Sequence, residues 1–331
     1  MAENVLITGI TGFVGSHLAD YVLELGDEYQ VYGVKRWHHS SMHNVRHIVN
    51  KVRWVDCDLT DPIAVRDMID QVRPHKIFHY AAESFVSPSW KHPTHYMTAN
   101  YNATVNLLDV LRHVGFSMRI HIPGSGEEYG EIQEDELPIT EQTVLRPVNP
   151  YAVSKIAQDF IGYVYYRSYG VNVIRTRAFN HEGPRRDKVF GIPWYAYQIA
   201  RVEVGLQPPV LKVGYIDDRR NFTHVRDMVE AYWLAVKKCE PGELYLIGSE
   251  APDHIHTFRE AVEMLIARST ARGIRYEVNP QYVRPTNVPR LIADTSKFRN
   301  LTSWEPKISF EQTLDDTLAY WRERVKAEIA A

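Results

Sequence analysis

Tyr151 and Lys155 stand four residues apart in the stretch Asn149-Pro150-Tyr151-Ala152-Val153-Ser154-Lys155. On a helix that spacing puts both side chains on one face, one turn from each other. A phenol with a pKa of about 10 is a poor base near neutrality, and an adjacent ammonium favours its phenolate. The pair therefore suits removal of a proton from a sugar hydroxyl while hydride leaves the same carbon for a nicotinamide. Ser125, at the end of the apolar run that opens at Met118, is placed to hydrogen-bond the same oxygen.

Such a site needs a cofactor, and the amino-terminal pattern supplies its elements. The β-rich run Val5-Leu6-Ile7-Thr8 leads into Gly9-Ile10-Thr11-Gly12-Phe13-Val14-Gly15 and then a helical pattern from Ser16 to Leu25. Strand, glycine loop and helix form a dinucleotide cradle: Gly9 permits the turn, Gly12 lets the backbone approach a pyrophosphate, and Gly15 lets helix pack on strand. The helix start adds free N–H groups and partial positive charge. The second strand, residues 30 to 34, ends in Lys35-Arg36, where an NAD-preferring fold would place an acid for the ribose 2′-hydroxyl. Two cations there suit a 2′-phosphate, so NADP is expected. Strands over 52–55, 76–80 and 118–122 follow, the first leading to Asp58-Leu59 beside the adenine, the second to Ala81-Ala82-Glu83-Ser84. Five alternating strand and helix units imply an α/β fold with a parallel, doubly wound sheet.

The chain has 331 residues, 44% hydrophobic and 24% charged, with a formal net charge of -3. That length suits one large or two intimate domains, and that charge gives no reason to expect a nucleic-acid partner. Cys57 and Cys239 lack metal-ligand or disulfide-framework spacing and read as buried thiols of a reducing compartment. His38, His39, His43 and His47 lack a third ligand at a recognisable spacing, and no metal is expected. Without a secretory signal pattern or a long apolar run, the expectation is a soluble, cytoplasmic protein with no membrane contact.

With Gly9-x-x-Gly12-x-x-Gly15, Ala81-Ala82, Asn100, Ser125 and Tyr151-x-x-x-Lys155 in order, the chain resembles the extended short-chain dehydrogenase/reductase family over essentially its full length. Phe179-Asn180-His181-Glu182-Gly183-Pro184-Arg185-Arg186 is similar to the Phe-Asn-His-Glu-Ser-Pro-Arg-Arg stretch of GDP-mannose 4,6-dehydratases. Lys212-Val213-Gly214, Arg220 through Asp227, and Arg284-Pro285-Thr286-Asn287 resemble GDP-4-keto-6-deoxymannose reductases at least as well. Asn287 departs from both groups, which usually carry glutamate there.

That resemblance implies a site. Ser125, Tyr151 and Lys155 would perform hydride transfer, and Glu127 occupies the position of the dehydratase glutamate that acts at C5 and C6. Gly9, Thr11, Gly12, Phe13, Val14, Gly15, Lys35, Arg36, Asp58, Leu59, Ala81, Ala82, Tyr151 and Lys155 would hold NADP. A GDP-sugar would meet Ser84, Asn180, Arg185, Lys212, Arg220 and Arg284. The implied activity is GDP-sugar 4,6-dehydration; the alternatives are a GDP-4-keto-6-deoxymannose reductase, a nucleotide-sugar epimerase, or an NADP-binding sensor without turnover. Residues 1–178 would form the NADP-binding Rossmann domain with the catalytic residues and 179–331 the nucleotide-sugar lobe, with the chain crossing between the two near an approximate boundary. By the same resemblance, helices over 104–114 and 151–168 would form a homodimer surface, with a tetramer through the 35–45 loop.

Overall fold

The computed structural model describes residues 2–330, with the side chain of His38 outside the described set. The first half alternates as expected: β1 (Glu3–Thr8), α1 (Phe13–Glu24), β2 (Tyr29–Lys35), β3 (Arg53–Asp56), α2 (Pro62–Val72), β4 (Lys76–His79). A short α3 (Pro93–Tyr96) runs through a π-helical turn, Met97–Asn102, into α4 (Ala103–Leu111), followed by β5 (Arg119–Ser125), α5 (Pro150–Tyr169) and β6 (Val173–Ala178). Helix α5 has chemical stops at both ends. The Asn149 side chain accepts from the Ala152 N–H at 2.8 Å, Pro150 occupies the first turn, and Gly170 closes the helix at φ +71°.

The second half is less regular: β7 (His181–Glu182), α6 (Gly191–Glu203), β8 (Val210–Val213), β9 (Arg219–Asn221), β10 (Thr223–His224), α7 (Val225–Lys238) and β11 (Leu244–Ile247). It ends with β12 (Ile255–Thr257), α8 (Phe258–Ala267), β13 (Arg275–Val278), β14 (Arg290–Leu291), α9 (Ser296–Thr302) and α10 (Phe310–Ala330). Strand β11 returns to the main sheet, whose order is β11-β6-β5-β4-β1-β2-β3, with every adjacent pair parallel. This is the doubly wound sheet expected from the alternation.

Both sheet faces are covered. On one, α1 and α7 pack with Val5, Ile7, Phe78, Ile174 and Trp233; on the other, α2, α4 and α5 pack with Leu6, Ile77, Ile120 and Val173. Each such fully buried aliphatic side chain contributes about 1.5–3 kcal/mol. A separate core joins α6, α8 and α10 through Ile192, Leu211, Phe222, Leu265, Phe310 and Leu318. Strand β6 is the exception to apolar filling, because Arg175 and Arg177 are both buried on the face toward α5. Buried charges persist only when paired, and both arginines pair with Asp159 of α5. No helix among the described residues is long and apolar enough to cross a membrane.

Candidate active site

Parallel pairing of β4, β5 and β6 brings the carboxyl end of β5, and with it Ser125, beside the start of α5. Tyr151 is buried in the first turn of α5 against Val86, Tyr96 and Trp90. Burial pushes its phenol above the ordinary value; hydrogen bonding to Ser125 pulls the other way, the Glu127 and Glu128 charges add to the rise, and the Arg186 charge opposes them. Lys155, also buried, donates to Pro123 O at 2.6 Å and to the Gln158 side chain. Burial pulls its ammonium below the usual lysine range, against the nearby Glu128 and Asp159. The sequence expectation had Lys155 acting directly on Tyr151. The helical spacing holds, Nζ donates to the Pro123 carbonyl near the end of β5, and the Arg186 charge also favours the phenolate.

A 3₁₀ turn, Gly126–Glu128, follows Ser125. Glu127 donates its N–H to Ser125 Oγ at 3.2 Å, and its carboxylate accepts from Asn149 Nδ2 at 3.0 Å, the same Asn149 that caps α5. Its other oxygen lies 3.9 Å from Arg284 Nη1. Arg220, 3% exposed, sits 3.5 Å from Asp218, and both lie within electrostatic reach of Glu127 and Arg284. The fold therefore brings Ser125, Glu127, Tyr151 and Lys155 together with Arg220 and Arg284 from the second half.

The glycine loop passes the test of fitting a dinucleotide. Gly9 has φ +67°, and a Cβ there would meet Tyr80 C and Ala81 N at 2.7 Å; one on Gly15 would meet Gly9 O at 2.4 Å. Gly12 precedes α1 with no side-chain cap, so the helix start keeps backbone donors for an anion. Thr11 O accepts from Asn44, Phe13 stacks on His181 at 5.8 Å, and Val14 packs against the core under α1. Ala81 N–H donates to Thr8 Oγ1 at 3.1 Å, and Ala82 is exposed. Asp58 accepts from the N–H and hydroxyl of Thr60, while Leu59 is buried and its carbonyl accepts from Asn106. Lys35 pairs with Asp56, its register partner on β3, which leaves Arg36 as the exposed cation at the end of β2.

The other residues expected to meet the substrate are Ser84, Asn180, Arg185 and Lys212. Arg185 pairs with Asp20 of α1 at 2.7 Å, and Lys212 pairs with Glu277 of β13. Asn180 has its carbonyl on Thr223 N–H, and Ser84 is an exposed loop residue. Two site neighbours went unread in the sequence. Asn149 announces itself only as a residue before proline, which reads as a cap. Arg186 stacks on Phe13 and Phe190 and pairs with Glu182 at 3.1 Å, contacts spread over 177 residues of chain that no local pattern foretells. His43 faces Arg324 and His47 faces Asp20.

Residues 6–317 match the family model for GDP-mannose 4,6 dehydratase. GDP-6-deoxy-D-mannose reductase of Pseudomonas aeruginosa is 30% identical over 330 residues, covering 99% of this chain and 100% of the relative. GDP-mannose 4,6 dehydratase 1 of Arabidopsis thaliana is 30% identical over 347 residues, covering 98% and 92%. Among solved structures, that of RMD from Pseudomonas aeruginosa complexed with NADPH superposes with a TM-score of 0.82 at 30% identity, covering 98% of this chain and 100% of that one. The family match runs unbroken from β1 through the catalytic-type cluster into α10, and the chain belongs to the GDP-mannose 4,6-dehydratase family.

Proposed function

We propose that the protein is a GDP-sugar 4,6-dehydratase using NADP, with GDP-mannose or a related GDP-sugar as substrate. The observation that carries this reading is the placement of Glu127. Dehydration needs a second acid/base group beside the tyrosine, and Glu127 is held against Ser125 and the cap of the Tyr151 helix while facing Arg284.

In this scheme Ser125 and Tyr151 hold the 4-hydroxyl, and Tyr151 takes its proton. A nicotinamide held there would supply the hydride chemistry, storing hydride from C4 for return at C6. Once C4 is a ketone the C5 proton is acidic; Glu127 removes it and passes it to the departing C6 hydroxyl, which leaves as water, and the proton that Tyr151 took from the 4-hydroxyl is returned to C5 as C6 is reduced. Lys155 holds the cofactor ribose, and Arg220 and Arg284 take the diphosphate, for which a planar guanidinium fork is suited. Arg36 would meet a ribose 2′-phosphate, a choice supported by the relative solved with NADPH.

A reductase is the second reading, favoured by the whole-length match to the Pseudomonas reductase. Incubating the protein with GDP-mannose and no added reduced cofactor, and following the sugar by NMR, separates them. A 4-keto-6-deoxy product beyond one equivalent of bound cofactor supports dehydration. No conversion, with NADPH consumed on supplying the 4-keto-6-deoxy sugar, replaces it with reduction.

We also propose a homodimer through α5, whose outward face carries Val153, Phe160, Tyr163 and Val164, each at least 40% exposed.

A further inference from the structure

Glu128 follows Glu127 but occupies a different environment. It is 0% exposed, and its carboxylate accepts the Ser125 N–H at 2.7 Å through Oε1 while Oε2 lies 2.7 Å from Arg177 Nε. Arg177 continues to Asp159 Oδ2 at 2.7 Å, and Asp159 Oδ1 lies 2.6 Å from Arg175 Nε. The chain Ser125–Glu128–Arg177–Asp159–Arg175 thus crosses β5, β6 and α5, with Glu128, Arg177 and Asp159 all buried. Gly124 is cut to fit it, since a Cβ there would come within 2.4 Å of Glu128 Oε1.

A buried carboxylate of this kind is costly unless paired, and losing one partner leaves an uncompensated charge. Retaining one behind the catalytic-type cluster asks for a role. Two consequences follow from its position. The Ser125 backbone is anchored by a rigid acceptor, which fixes the hydroxyl beside Tyr151. A negative charge is also set among Lys155, Arg177 and Asp159, and it limits the positive field at the phenol.

We propose that Glu128 is a positioning residue for the reaction, anchoring Ser125 through its backbone N–H and balancing the buried cations behind it. The proposal rests on the dehydratase-or-reductase reading above. The charged and titratable groups facing Glu128 are Arg177 on β6, Asp159 and Lys155 on α5, and Tyr129 in its own turn. Those facing Tyr151 are Glu127, Glu128 and Arg186, with Tyr232 behind.

Two variants test it. Glu128→Gln keeps an acceptor for Ser125 and removes the charge. In either direction of the reaction, the limb of the kcat–pH profile belonging to Tyr151 should then move to lower pH, because a negative neighbour of the phenol has gone, while KM for sugar and cofactor stays within about threefold. The double variant Glu128→Met/Arg177→Met removes both charges and the anchor, so its plateau kcat should fall at least tenfold with KM for sugar and cofactor retained. Wild-type pH profile and kcat in both variants would overturn the proposal, as would equal loss of kcat and cofactor binding, which marks a purely structural role. Wild-type protein that converts neither GDP-mannose nor its 4-keto-6-deoxy form would sink the functional reading instead.

Discussion

Arg284 sets its guanidinium 3.9 Å from the Glu127 carboxylate, so a residue from the loop before β14 reaches the turn that follows β5, across 157 positions of chain. A carboxylate and a cation from the two halves of the chain then share one site. If Glu127 is the C5 base, Glu127→Gln should lower kcat by about 10²–10⁴-fold, the usual worth of a positioned acid/base. C4 oxidation should survive, so reduced nicotinamide would build up to one equivalent on adding GDP-mannose. Turnover at the wild-type rate would remove Glu127 from the mechanism.

Arg284 carries a separable prediction. It is partly exposed and reaches the cluster from outside the main sheet. A charge-assisted contact to a diphosphate contributes about 1.5–3 kcal/mol. Arg284→Met should therefore raise KM for the GDP-sugar about 10- to 150-fold and leave NADP affinity, measured by titration, as in wild type. A variant whose nucleotide-sugar KM does not move would place the diphosphate elsewhere.

The oligomer prediction concerns α5. Phe160 is 48% exposed and Val164, one turn on, 44%. An outward apolar stripe on a helix that also carries Tyr151 calls for a cover. Phe160→Glu should convert a dimer to monomer in sedimentation; a wild-type monomer would end the proposal.

The first five strands were legible because most are short apolar runs closed by their own loop chemistry, and Gly9, Gly12 and Gly15 announce the first crossover; β6, with its two arginines, and β11 went unread. The Tyr151–Lys155 spacing and the position of Ser125 were legible for the same reason: they follow from the period of one helix and the end of one strand. What the sequence hid is pairing at a distance. Lys35 faces its register neighbour Asp56, Arg185 reaches Asp20 on α1, and Lys155 turns to Pro123 O, choices made by packing between elements. Glu128 and Arg177 look like surface charges in a one-dimensional reading, since nothing local marks their shared burial.

Buried histidines make the last prediction, on pH. His79 Nε2 lies 2.9 Å from Thr104 Oγ1, and Thr104 donates its own proton to Asn100 O while also accepting from Gln158. His79 therefore donates through Nε2, and because burial keeps the ring neutral its Nδ1 accepts from Thr8 Oγ1. Burial likewise holds His17, His79 and His121 down to about 3, and His181 and His224 down to about 4. These folded-state values lie below the unfolded value of about 6.5. Below that pH the unfolded chain binds more protons than the native one, so stability is present above it and is lost as pH falls. Each histidine adds a slope of at most about 1.4 kcal/mol per pH unit. Glu128 and Glu182 oppose them: burial raises each carboxyl to about 7, so their contribution declines as pH rises from the unfolded value. Five imidazoles outweigh these two carboxyls. Against a total stability of about 5–15 kcal/mol, the urea midpoint should fall steadily from pH 7 to pH 5, with folding lost soon below. His121→Gln should flatten that slope by close to one proton; an unchanged slope would mean that His121 is not neutral in the native core.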